Sequence, residues 1–155
     1  MNVLMDELTA GVPHGTELLR VLIRLLGAML AGAVLGLQRE RADKPAGLRT
    51  HILVALGAAI FVVVPSQLGM DQAGLSRVIQ GIATGVGFLG GGVILKLASE
   101  RKIEGLTTAA DIWATAAIGV AIGLGALGIG LIATAFAWIV LGVLYRVEAR
   151  RKRPR

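Results

Sequence analysis

The residues with chemistry to offer gather in two short stretches of this sequence. LGLQRERADKPAGLRTH holds Gln38, Arg39, Glu40, Arg49 and Thr50, and GLTTAADIW holds Thr107, Thr108 and Asp111. Guanidinium and carboxylate groups at this density form ion pairs. Glu40 and Arg49 flank the break Lys44-Pro45-Ala46-Gly47, so a chain that folds back there brings them within reach. A plain anchoring loop needs only loose Lys and Arg. It does not ask for Gln38 and Glu40 interleaved with arginines, and that mixture points to a specific polar cluster. Glu40, Asp111 and Glu104 also offer oxygen atoms to a hydrated divalent cation, which prefers octahedral oxygen ligands; Arg39, Arg49 and Lys102 nearby would repel it.

Asp111 has two readings. Thr108-Ala109-Ala110-Asp111 fits a capping box, in which the acid returns to the N–H of a capping threonine at a helix start. Alternatively it is a carboxylate inside a membrane helix, costly to bury and therefore a candidate functional group. Arg24 divides the same way, between snorkelling to the headgroups and pairing within a bundle. Other chemistries drop out. Without cysteine there are no disulfides, thiol nucleophiles or thiolate metal sites. His14 and His51 make no spaced ligand pair, and Ser66, Ser76 and Ser99 stand without a recognisable base. The expectation is a protein that is no enzyme and carries no cofactor. GVGFLG (Gly85 to Gly90) matches a dinucleotide fingerprint formally, but it lies midway along an apolar run instead of between strand and helix.

The elements that must position these residues are long apolar blocks. Of 155 residues, 55% are hydrophobic and the mean hydropathy is +0.74. About 20 apolar residues cross a bilayer core as a helix, and the blocks predict an all-α, polytopic transmembrane bundle of about five spans. The first three run over about Leu18 to Leu37, Ile52 to Leu68 and Val78 to Leu97, with a polar, turn-like segment from Pro65 to Arg77. From Asp111 to Arg146 nothing is charged, too long for one span, so Gly123 to Gly130 is read as a tight turn between the fourth and fifth. Small residues let membrane helices approach closely, which assigns packing roles to Gly32, Gly36, Gly81, Gly85, Gly87, Gly90 and Gly92. Residues 1–17 form an acidic N-terminal segment without the basic start of a secretory signal, residues 18–146 the transmembrane domain, and residues 147–155 a basic tail.

Short basic loops stay cytoplasmic. Five spans place Arg39, Arg41, Lys44, Arg49, Lys96, Arg101, Lys102 and the tail on one side, against Arg20, Arg24 and Arg77 on the other. The N-terminus is therefore expected outside and the C-terminus inside. The net charge of +6 is then read as directed at anionic headgroups and topology, with the bilayer as partner and no nucleic acid.

The sequence resembles the MgtC/SapB family of bacterial inner-membrane proteins. The likeness rests on LRVLIRLLGAMLAGAVLGLQRERADKPAGLRTHILVALGAAIF, RVIQGIATGVGFLGGGVIL and GLTTAADIWATAAIGVAIGLG, in the family's order between Leu19 and Gly125. It implies about five membrane helices, characteristic polar positions at Arg24, Arg39, Glu40, Arg49, Thr50, Thr107 and Thr108, and glycines at Gly36, Gly47, Gly87, Gly90 and Gly92. Gln38 stands where the family usually has an acid, and Gly91 where it usually has alanine. The resemblance implies a short, membrane-only member linked to magnesium limitation and stress adaptation. It points to a regulator with a membrane-protein partner (an ATP synthase is one candidate) or self-association, and alternatively to a magnesium or other cation transporter.

Overall fold

A computed structural model of the chain describes residues 2–97 and 105–144. It contains α1 (Asn2–Thr9), α2 (Thr16–Arg41), α3 (Leu48–Gln67), α4 (Gln72–Leu97), α5 (Leu106–Gly123) and α6 (Leu127–Ile139), the last continued by a π-helical turn, Val140–Leu144. No strand occurs among the described residues. Helices α2 to α5 are each long and apolar enough to cross a membrane, and α6 with its continuation is a shorter apolar helix.

Cross-helix neighbours fix the directions. Arg39 of α2 meets Thr108 at the start of α5, and Arg24 meets Gly123 at its end, so these helices are antiparallel. His51 faces Asp111 and Ala55 faces Gly119, so α3 and α5 run parallel. Gly90 lies against Ala109, making α4 antiparallel to α5. α6 runs alongside α2, from Leu127 near Gly27 to Trp138 near Gln38. α5 is the hub: it touches α2, α3, α4 and α6.

The stripes that build this core are made of small residues. α2 buries Ala28, Ala31, Gly32, Leu35, Gly36 and Arg39, and α3 buries His51, Ala55, Ala58, Ala59, Val62 and Val63. Both sets recur at three and four residues, one face of a helix. Lipid is as apolar as leucine, so membrane helices gain by close van der Waals approach through small residues. A Cβ on Gly32 would sit 2.5 Å from the His51 carbonyl oxygen, and one on Gly36 would sit 2.7 Å from Leu48 Cα. Gly90 is close to Ala109 as well. Gly81, Gly85, Gly87 and Gly92 are different, with nothing within 4 Å of an added Cβ. The packing expectation for these four is corrected within the chain: α4 joins the bundle through Val78, Ile79, Ile82, Val86 and Gly90, and these four glycines face away from their neighbours or into open grooves.

Two boundaries also move. The expected turn-like stretch from Pro65 to Arg77 shrinks to Leu68–Asp71. Pro65 is absorbed into the last turn of α3, and Asp71 caps α4 by accepting the Gly74 N–H at 2.7 Å. The turn from Gly123 to Gly130 shrinks to Leu124–Ala126, where Gly125 at φ +93° supplies the left-handed residue. The Lys96 side chain, Arg101, Lys102, Glu104 and the tail from Arg146 lie outside the described residues.

Candidate functional site: a buried Arg–Asp–His cluster

At one end of the bundle the buried stripes of three helices stop being apolar. Arg39 closes the α2 stripe, His51 opens that of α3, and Thr108, Asp111 and Thr115 occupy the inner face of α5. Asp111 Oδ2 lies 2.8 Å from His51 Nε2 and 3.3 Å from Arg39 Nε. The Arg39 approach is Coulombic, since its Nε–H is not aligned as a hydrogen bond. A second Arg39 nitrogen, Nη2, donates to Thr108 Oγ1. His51 Nδ1 lies 2.9 Å from the Gly47 carbonyl oxygen; a carbonyl only accepts, so Nδ1 carries a proton. Side-chain exposure is 7% for Arg39, 0% for His51 and 1% for Asp111. Buried charges persist only when paired, and here one carboxylate oxygen faces both the Arg39 guanidinium and the His51 ring. The other oxygen, Oδ1, is buried without a protein hydrogen-bond partner, as is Thr115 Oγ1 one turn on.

Local geometry explains how the α2–α3 hairpin delivers these groups. Helix α2 ends at Arg41, Asp43 takes φ 52°, and Gly47 precedes α3. Glu40 does not reach back to Arg49. Its Oε2 accepts the Leu48 backbone N–H at 2.9 Å, satisfying an orphan donor at the start of α3 where the helix dipole favours an anion. Arg49 is exposed and has no hydrogen bond or ion pair among the described residues; Thr107 is exposed too. Thr50 is half-buried. It lines a cavity of about 440 Å³ with Ala46, Leu89, Gly92, Val93 and Ile112. Gln38 donates from Nε2 to the Trp138 carbonyl at 3.1 Å, tying α2 to α6. A carboxylate could not make that bond.

The capping-box reading of Thr108 and Asp111 is overturned. α5 begins at Leu106 with Gly105, at φ 91°, as its N-cap, so Thr108 is already in the first turn and Asp111 points into the bundle. Arg24 pairs inside: its Nη1 donates to the Gly123 carbonyl at 3.2 Å, at the negative end of α5. His51 is the residue the sequence undervalues, because a lone histidine forms no ligand pair. The signal that finds it is positional, since it lies four residues before Ala55 on the small-residue stripe of α3.

An ion-paired cluster enclosed by long apolar helices defines a helical membrane protein. The chain belongs to the MgtC family, whose model matches residues 25–150. It is 48% identical to the protein SrpB of Synechococcus elongatus, over 88% of this chain and 81% of that protein. It is 42% identical to the putative magnesium transporter YhiD of Escherichia coli K12, over 83% of this chain and 62% of that protein. To the protein MgtC of Salmonella typhimurium it is 41% identical, over 84% of this chain and 54% of that protein. It thus spans only part of the latter two relatives. No solved structure matches the chain.

Proposed function

We propose that this is a multi-pass protein of the bacterial inner membrane that acts as a regulator, binding a partner membrane protein or a second copy of itself under magnesium limitation or related stress. The observation that carries this reading is the commitment of Asp111. It is the only buried carboxylate among the described residues, and its Oδ2 is already held by Arg39 and His51. A transport site needs an acid that a cation can reach, and this one is enclosed by an arginine and a histidine ring. No group of three His, Asp or Glu able to hold a metal ion occurs among the described residues. Helix α4 meanwhile presents Phe88, 83% exposed, and a groove of about 630 Å³ shared with α3. The hairpin end, with Arg39, Arg41, Lys44 and Arg49, is assigned to the cytoplasm, which puts the N-terminus outside.

Cation transport is the second reading, supported by the name given to YhiD. Purified protein in liposomes loaded with a magnesium-sensitive dye separates the two. Regulation predicts influx equal to that of protein-free liposomes while a channel control conducts, together with in-membrane crosslinks from position 88 to a protein neighbour. Magnesium influx abolished by Asp111→Asn would overturn it.

A further inference from the structure

We propose that His51 and Asp111 form a binding site for one proton inside the bundle. Such a site follows from counting protons and goes beyond the regulatory reading without depending on it. Nδ1 of His51 faces the Gly47 carbonyl, which can only accept, so this geometry calls for a proton on that nitrogen. Nε2 and Asp111 Oδ2 are then 2.8 Å apart, a hydrogen-bond distance. A hydrogen bond there requires exactly one proton between two atoms that would otherwise present lone pairs to each other. It resides on Nε2, giving an imidazolium and a carboxylate, or on Oδ2, giving a neutral ring and a carboxylic acid. Either placement takes up one proton from water relative to a neutral ring beside an ionised acid, and the net charge of Arg39, His51 and Asp111 goes from zero to +1.

Every element around the pair bears on that charge. From α2 comes Arg39, 3.3 Å from the same oxygen. Glu40, on the hairpin, is exposed and occupied with the Leu48 N–H. From α5 come Thr108, which accepts from Arg39, and Thr115, which is uncharged. Near this end α4 offers Leu89, Gly90, Gly92 and Val93, and α6 faces Gln38 with the Trp138 carbonyl, so neither brings a titrating group from the described residues. The proton-free state keeps the Arg39–Asp111 pair, and the proton-bound state adds the His51 bond. A proton-free and a proton-bound state thus meet at the junction between the hairpin and α5. Asp111 Oδ1 is buried and has no protein hydrogen-bond partner.

The chain has only two histidines, so His14→Gln leaves His51 as the sole ring signal. The test is nuclear magnetic resonance of the full chain in liposomes, with ring-¹⁵N histidine and carboxyl-¹³C aspartate, over about pH 5 to 8, where histidine charge ordinarily changes. The expected result is a proton-bound form at the acid end, with both ring nitrogens protonated or a protonated Asp111 carboxyl, and its loss in Asp111→Asn. A wild-type ring protonated only on Nδ1 beside an ionised Asp111 at the acid end would overturn the proposal. So would ring signals identical in the two proteins at each pH. The wild-type spectrum decides the matter even if the variant fails to fold.

Discussion

Replacing Gly119 by alanine should loosen the centre of the bundle. A Cβ there would fall against the Ala55 carbonyl oxygen, and 3.0 Å from both the carbonyl carbon and Cα of that residue. All three atoms are backbone, so no side chain can swing aside, and α3 must withdraw from α5 by several tenths of an ångström. Both helices carry buried stripes through this level, and overpacking a tight core costs about 1–3 kcal/mol. Alanine is the better helix former by about 1 kcal/mol, which offsets part of the loss and leaves a net destabilisation of up to about 2 kcal/mol. Gly85→Ala receives the same propensity gain with nothing within 4 Å of its new methyl, so it should be neutral or slightly stabilising. The two variants compared by reversible unfolding in mixed micelles give the measurement. Equal stability for Gly119→Ala and Gly85→Ala would refute the inference that α3 and α5 touch backbone to backbone.

Three further outcomes follow from the same geometry. Gln38→Glu should destabilise by about 1–2 kcal/mol, because a carboxylate facing the Trp138 carbonyl loses the donated bond and leaves an acceptor opposed to an acceptor; unfolding midpoints check this. Glu40→Ala should cost about 1 kcal/mol through the lost cap on Leu48 N–H, whereas Arg49→Ala should stay within about 0.5 kcal/mol, reversing the partnership expected from sequence. Arg24→Met should fray the end of α5 by about 0.5–1 kcal/mol, seen as faster amide hydrogen exchange at Leu124 and Gly125 than in the parent.

The long apolar helices were legible because lipid demands long uncharged blocks, and that demand is written residue by residue; the short α1, which crosses nothing, left no such mark. Arg39 and Asp111 were legible as unusual, being charges at the margins of such blocks. Their partners were not. A motif such as Thr108-Ala109-Ala110-Asp111 reads the same whether the helix starts at Thr108 or two residues earlier, and only the placement of Gly105 in a left-handed conformation decides it. Glu40 was paired with Arg49 on proximity and charge alone, while the unfilled N–H groups at the start of α3 offered a closer partner. The glycines taught a similar lesson. Spacing could not tell Gly32, which faces backbone, from Gly81, which faces nothing, whereas Gly119 and Gly123 share that spacing on the one helix buried by all its neighbours.

The central claim is that Arg39, Asp111 and His51 form one buried, mutually dependent unit. A double-mutant cycle of Arg39→Met and Asp111→Asn, read as unfolding free energy in mixed micelles, tests it most directly. Removing one member strands its partner, and breaking a buried ion pair costs about 3–5 kcal/mol. The double variant should therefore be less destabilised than the summed single variants by more than about 1 kcal/mol, since residues in one network couple by roughly 0.5–3 kcal/mol. Additivity within about 0.5 kcal/mol, the behaviour of distant sites, would contradict the account.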